Sequence, residues 1–147
     1  MLSSEKIEKV VWNITPICLW DCDFCVMDSS INCTRKELSY EQKLTAIKNL
    51  DVVQKVDLSG GEVFMNREDH MRIIPIISEM IGKENLGISC SGAYINAEIA
   101  RKLSQYVSDI ELTLDAHPDY NFIHRPKGYH KTAARASRYL IGLYIIS

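Results

Sequence analysis

Residues 10–25 read VVWNITPICLWDCDFC. Val10 to Thr15 are mostly β-branched or aromatic and Pro16 stops them, the pattern of a short buried strand. Directly beyond that stop, Cys18, Cys22 and Cys25 fall within eight residues. A strand that delivers a cysteine-rich loop from its carboxyl end fits an α/β arrangement, in which ligands gather beyond the carboxyl ends of parallel strands.

Working outward, the pattern repeats. Ser39 opens SYEQKLTAIKNL, where Ser39 and Gln42 make a capping box and Leu44, Ile47 and Leu50 share one helical face. Val56 to Ser59 is a second strand, closed by Gly60 and Gly61. Asn66 caps a helix through His70, Ile73, Ile77 and Met80 that stops at Gly82, with a kink expected at Pro75. Leu86 to Cys90 is a third strand. Asn96 caps a third helix with Ile99, Ala100, Leu103 and Tyr106 inward, and Ile110 to Asp115 is a fourth strand. Tyr129 to about Leu140 is a fourth helix, and Gly142 introduces LYIIS, the start of a fifth strand. Alternating strands and helices imply right-handed βαβ units and a parallel sheet. A closed eightfold barrel needs roughly 250 residues, so four units and a strand predict a partial barrel of TIM type or an open sheet.

The 147 residues support one domain, 1–147, with a real core. Because the chain stops at Ser147 inside an apolar run, this domain is expected to be incomplete at its C-terminus, a fragment or a half that needs a partner. The net charge of -2 and the scattered Lys and Arg give no basic stripe for nucleic acid. No apolar run reaches the ~18 residues a membrane-spanning helix needs, and charges interrupt the N-terminus where a secretory signal is apolar. The expected location is the cytoplasm, with neither nucleic acid nor membrane as partner. Five cysteines, an odd number with three in one loop, argue for metal chemistry over disulfides.

Thiolates favour iron–sulfur clusters, zinc and copper(I). Three close cysteines can wrap one corner of a cubane and leave its fourth iron open, unlike the four-cysteine pattern of simple ferredoxins. The bland alternative is a zinc knot of Cys18, Cys22, Cys25 and Cys33. Zinc prefers C-x-x-C pairs, whereas the 18–22 spacing is one residue too long and Cys33 has no paired neighbour. Cys33 and Cys90 read as small hydrophobes.

NITPICLWDCDFC resembles the cluster-binding signature of radical S-adenosylmethionine (SAM) enzymes. That resemblance implies a 4Fe–4S cluster on Cys18, Cys22 and Cys25, with Phe24 near the adenine of SAM; Trp20 departs from the small polar residue often found there. Ser59-Gly60-Gly61-Glu62 is similar to the family's Gly-Gly-Glu motif, which contacts the amino group of SAM, and Glu62 can supply a carboxylate acceptor for it. Thr113 and Arg125 match a hydroxyl and an arginine that face the SAM carboxylate in the peptide-modifying and sulfatase-maturing branches; by itself Arg125 could equally be a solvated loop residue. Asp115 and His117, at the same strand end, read as loop caps or as contacts to ribose or substrate. SCSG at 89–92 departs from the family's Thr-Asn-Gly, so only Gly92 carries over, as a turn.

The activity implied is reductive cleavage of SAM to a 5′-deoxyadenosyl radical that abstracts a substrate hydrogen. An open-sided barrel favours a peptide or protein substrate, and a low-potential donor such as flavodoxin or ferredoxin is expected. No catalytic residue is named. The alternatives are a small-molecule radical SAM enzyme, acting for instance on a nucleotide or tetrapyrrole, and a truncated, non-catalytic iron–sulfur or zinc module.

Overall fold

Apolar runs separated by long helical stretches, rather than by tight turns, can pair only as parallel neighbours. They do so in the structure, a computed structural model that describes residues 6–114 and 124–143. Strands β1 (Ile7–Asn13), β2 (Val53–Ser59), β3 (Leu86–Cys90) and β4 (Asp109–Leu112) lie side by side in chain order, each parallel to the next. The architecture is the expected α/β one, with an open sheet of four described strands. Register pairs Asn13 with Ser59, Leu58 with Ile88 and Cys90 with Leu112. The carboxyl ends are therefore level, and the loops beyond them share one rim.

The helices obey their caps. In α1 (Tyr40–Ile47), Ser39 accepts from the Gln42 amide while the Gln42 side chain accepts from Ser39 N at 2.9 Å. A short 3-10 turn over Lys48–Val52 follows and buries Leu50. Asn66 caps α2 (Arg67–Ile81), which ends at Gly82. Pro75 lacks the N–H that would reach the Met71 carbonyl, yet α2 runs through it without interruption. Asn96 caps α3 (Ala97–Leu103) through the Ile99 amide at 2.9 Å, and α4 spans Tyr129–Leu140.

The core lies between the sheet and these helices: Val56, Leu58, Leu86 and Ile88 meet Ile73, Ile74, Ile77 and Leu103. Burying an aliphatic side chain of this kind stabilises by roughly 1.5–3 kcal/mol, so this layer holds the rim in place. Met80, expected along the inward path of α2, is exposed, and Ile74 is buried there instead. The first strand also differs from expectation. It is an edge among the described strands, three residues longer at its start, and Val11 is 57% exposed.

The opposite sheet face is polar. Lys9 pairs with Asp57, and Lys55 lies 3.7 Å from Asp109. Gly87 sits in the middle, where a Cβ would stand 2.6 Å from Asp57 Oδ1 and 2.8 Å from Asp109 Oδ2. Leu143 lies in a turn after α4. The rest of the expected fifth strand, 144–147, falls outside the described residues, as do Asp115 and His117.

Candidate functional site

The cysteine loop leaves β1 and folds back on itself. Ile17 bridges to Ser30, and the Cys18 amide donates to the Ser30 carbonyl at 3.3 Å. Inside that closure, the Cys25 amide reaches Cys22 O at 3.0 Å and the Asp28 amide reaches Cys25 O at 2.8 Å. Asp28 takes a left-handed φ of 46° to complete the turn. Arg35 then clamps the loop from below, donating to the carbonyls of Met27 and, at 3.2 Å, Asp28.

Gly60 and Gly61 pack directly beneath this loop. Gly61 N donates to Thr15 O at 2.7 Å and Glu62 N to Ile17 O at 2.8 Å. A Cβ on Gly60 would run into the Thr15 carbonyl, and one on Gly61 into the Ile17 carbonyl. Gly60 also holds φ at 137°, a value side chains resist. What the paired glycines first permit is contact between two loops.

Together these loops and the ends of β3 and β4 enclose a cavity of about 250 Å³. Cys18, Cys22, Cys25, Phe24, Gly60, Gly61, Thr113 and Arg125 all line it. Glu62 does not. Its side chain is wholly buried and turned to β3, with Oε2 accepting from Ser91 N at 3.0 Å and from the Ser91 hydroxyl, and Oε1 from Phe64 N at 3.4 Å. Burial raises its carboxyl above the ordinary range, against the pull of the Ser91 and Phe64 bonds.

Arg125 closes the outer side. Its guanidinium lies 4.4 Å from the Tyr129 ring and 4.9 Å from the Phe24 ring, with Nη1 3.7 Å from Cys22 Sγ. Cation–π contact on two rings restricts a side chain that would otherwise be floppy. Burial pushes the Tyr129 hydroxyl up to about 12 and the Cys18 thiol up to about 11. Gly92 turns at φ 80°, where a Cβ would stand 2.7 Å from Ala136 Cβ, so it lets α4 close against the rim.

Cys33 stands apart from the cavity, its sulfur 3.4 Å from Arg35 Nε, and Cys90 is buried at the cavity wall. Among the described residues, no three His, Cys, Asp or Glu side chains converge where a single ion would sit. Two buried donors of cavity-lining residues, Trp20 Nε1 and the Ser29 hydroxyl, have no hydrogen-bond partner among the described residues.

Sequence reading missed several participants. Tyr129 and Trp20 pack at 5.2 Å between ring centroids and shape the wall. Trp20 is marked by its place between the first two cysteines, but nothing local marks Tyr129 as its partner, because that pairing depends on α4 returning to the rim. Lys43 did carry a signal. It sits among Tyr40, Leu44 and Ile47 at core spacing, and it is fully buried.

A family model described as "Radical SAM superfamily" matches residues 12–146. GTP 3′,8-cyclase of Psychromonas ingrahamii is 23% identical over 115 residues, 76% of this chain and 34% of that protein. Among solved structures, methylornithine synthase (PylB) superposes with a TM-score of 0.70 at 18% identity, over 97% of this chain and 44% of that one. Streptococcus suis SuiB bound to S-adenosylmethionine gives 0.66 at 19% identity, over 92% and 32%. The chain thus spans 32% to 44% of the length of these relatives, and at such identities the structural likeness is one of fold.

Proposed function

This chain belongs to the radical SAM superfamily, and on that premise we propose that its rim cavity binds SAM beside a 4Fe–4S cluster held by Cys18, Cys22 and Cys25. One observation carries the reading: the three cysteines, the Gly60–Gly61 turn, Thr113 and Arg125 line a single cavity. The donor set fits such a group. Thiolates that each take a different iron need not converge on one point, whereas a lone zinc ion requires that they do. Trp20 Nε1 and the Ser29 hydroxyl, donors without a partner among the described residues, belong to the same wall and suit a bound acceptor.

Held by Cys18, Cys22 and Cys25, such a cluster would supply the one electron needed for reductive cleavage of SAM to methionine and a 5′-deoxyadenosyl radical, the species that would take a hydrogen atom from the substrate. The protein's part is orientation and exclusion of water. Arg125 offers a planar fork to the SAM carboxylate, and Thr113 a hydroxyl beside it. Phe24 offers a face to the adenine. Since the Glu62 carboxylate is spent on Ser91, it serves the SAM ammonium by shaping the loop, and the backbone of that loop supplies the acceptors.

We further infer a peptide or protein substrate, which the open sheet of described strands would admit, and a low-potential electron donor such as flavodoxin or ferredoxin. The likeness to GTP 3′,8-cyclase favours a second reading, in which the substrate is a small molecule such as a nucleotide. Anaerobic reconstitution tests the core proposal. About four irons with matching sulfide are expected, together with a reduced-cluster paramagnetic spectrum that shifts on adding SAM. Stoichiometric zinc, with no cluster after reconstitution, would overturn it.

A further inference from the structure

Beneath the two loops that form the cavity lies a buried ionic node that lines no part of the cavity itself. Lys43, from α1, and His70, from α2, are both fully buried, with Lys43 Nζ 2.9 Å from His70 Nε2. Lys43 pairs with Glu37, whose Oε1 also receives Asn66 Nδ2 at 2.8 Å and lies 3.3 Å from His70 Nε2, while the nearby Thr15 side chain helps to hold that carboxyl low. Thr15, in turn, accepts from the Ile17 amide at 3.2 Å on its hydroxyl and from Gly61 N at 2.7 Å on its carbonyl. On the other side, His70 Nδ1 meets the Val63 carbonyl, immediately after Gly60-Gly61-Glu62.

These bonds fix the protonation of the node. Burial drives His70 below its ordinary range, only partly opposed by Val63 and Glu37, so the ring is neutral. The Lys43 ammonium can only donate, so Nε2 accepts and Nδ1 carries the proton to Val63 O. Burial would raise Glu37, but the bonds from Lys43, Thr15 and Asn66 hold it low. A buried ion pair is weak support for stability, because desolvating the two charges offsets their attraction. Its geometry, however, is exacting. One carboxylate and one ammonium here tie the root of the cysteine loop to the segment that follows the glycine turn.

We propose that Glu37, Lys43 and His70 form a positioning device that sets the separation between the cysteine loop and the Gly60–Gly61 loop, and thereby the width of the SAM site. The consequence for SAM rests on the function proposed above; the consequence for the loops does not. Lys43→Met removes the ammonium while keeping the bulk of the stem. It takes the paired ammonium from Glu37, leaving it the Asn66 bond, and releases His70 Nε2, so both loops lose their shared anchor.

Hydrogen exchange on the full chain tests the loops directly. In Lys43→Met the amides of Ile17, Gly61 and Glu62 should exchange about tenfold faster or more, while those of β3 and α2 keep their protection. After reconstitution, cluster content should stay at the wild-type level and SAM affinity should fall about tenfold. If Lys43→Met fails to fold, Glu37→Gln removes the charge that pairs with Lys43 while leaving the Thr15–Ile17 bond in place, and should loosen the same three amides. A uniform rise in exchange, or none, would make the node an ordinary structural ion pair and overturn the inference. Selective loosening with SAM affinity unchanged would also overturn its bearing on the site. Wild-type protein that takes up neither cluster nor SAM would sink the proposed function instead, and the exchange pattern would still decide whether the node positions the loops.

Discussion

The three cysteines do separate jobs from the other two because of where the chain puts them. Cys18, Cys22 and Cys25 line the cavity, Cys33 is held outside it by Arg35, and Cys90 is a buried wall residue. Alanine at 18, 22 or 25 should therefore abolish the cluster, with iron and sulfide analysis after reconstitution as the measurement, whereas Cys33→Ala and Cys90→Ala should keep it. Cluster loss in Cys33→Ala would return the fourth-ligand reading to favour. The Arg125 guanidinium lies over the Phe24 and Tyr129 rings, and the residue lines the cavity. A charge-assisted bond to a carboxylate is worth roughly 1.5–3 kcal/mol, so Arg125→Ala should weaken SAM binding about tenfold or more while leaving iron content alone. Arg125→Lys should recover part of that, since it keeps the charge and loses the planar fork. SAM titration of the reconstituted variants reads both. Unchanged affinity in Arg125→Ala would make Arg125 a residue of the cavity wall and not a SAM contact.

At the scale of elements, the caps and glycines give sharper predictions than the strands. Ser39→Ala removes one half of a reciprocal cap and should cost about 1 kcal/mol, read as a lower denaturant midpoint at constant slope. Gly61→Ala pushes a Cβ into the Ile17 carbonyl, where backbone cannot yield as a side chain would. Overpacking of this kind costs typically 1–3 kcal/mol, and here it should also part the two loops and depress SAM binding. Helix starts at Ser39, Asn66 and Asn96 were legible because a cap is a local bond between near neighbours, and each forms as read. The extent of β1 was not. Its first residues, Ile7 to Lys9, are mixed in character, and they are strand only because β2 offers Val53 and Lys55 to pair with. The cavity's cysteines, glycines, Thr113 and Arg125 could be found from motif and strand order. The inward turn of Glu62 could not, since it depends on Ser91, distant in sequence and without any signature of its own.

The same distinction governs the whole molecule, whose stability should depend on pH through groups that only the assembled fold brings together. His70 is buried neutral, its proton affinity lowered chiefly by burial and further by Lys43, against Val63, Glu37 and Asp69. As pH falls below the ordinary 6.5, the unfolded chain takes up a proton at His70 that the folded chain refuses. The stability His70 allows is thus present above 6.5 and is lost as pH falls toward its lowered folded value. Glu37 has the same sign in a lower window, since a carboxylate held below its ordinary 4.5 loses its contribution only as pH falls past that value. Glu62 has the opposite sign. Its raised carboxyl takes a proton in the folded state first, so acidification toward 4.5 favours the fold and partly masks the His70 loss. The difference between two proteins separates them. His70→Gln keeps an amide that can donate to Val63 and removes the titrating ring, leaving Glu62 and Glu37 in place. Urea unfolding between pH 7 and 4.5 should show wild type losing up to about 1.4 kcal/mol per pH unit relative to His70→Gln, a gap that opens only below 6.5. Parallel curves for the two proteins across that range would mean that His70 accepts a proton without cost, and that the neutral ring assigned to the node is wrong.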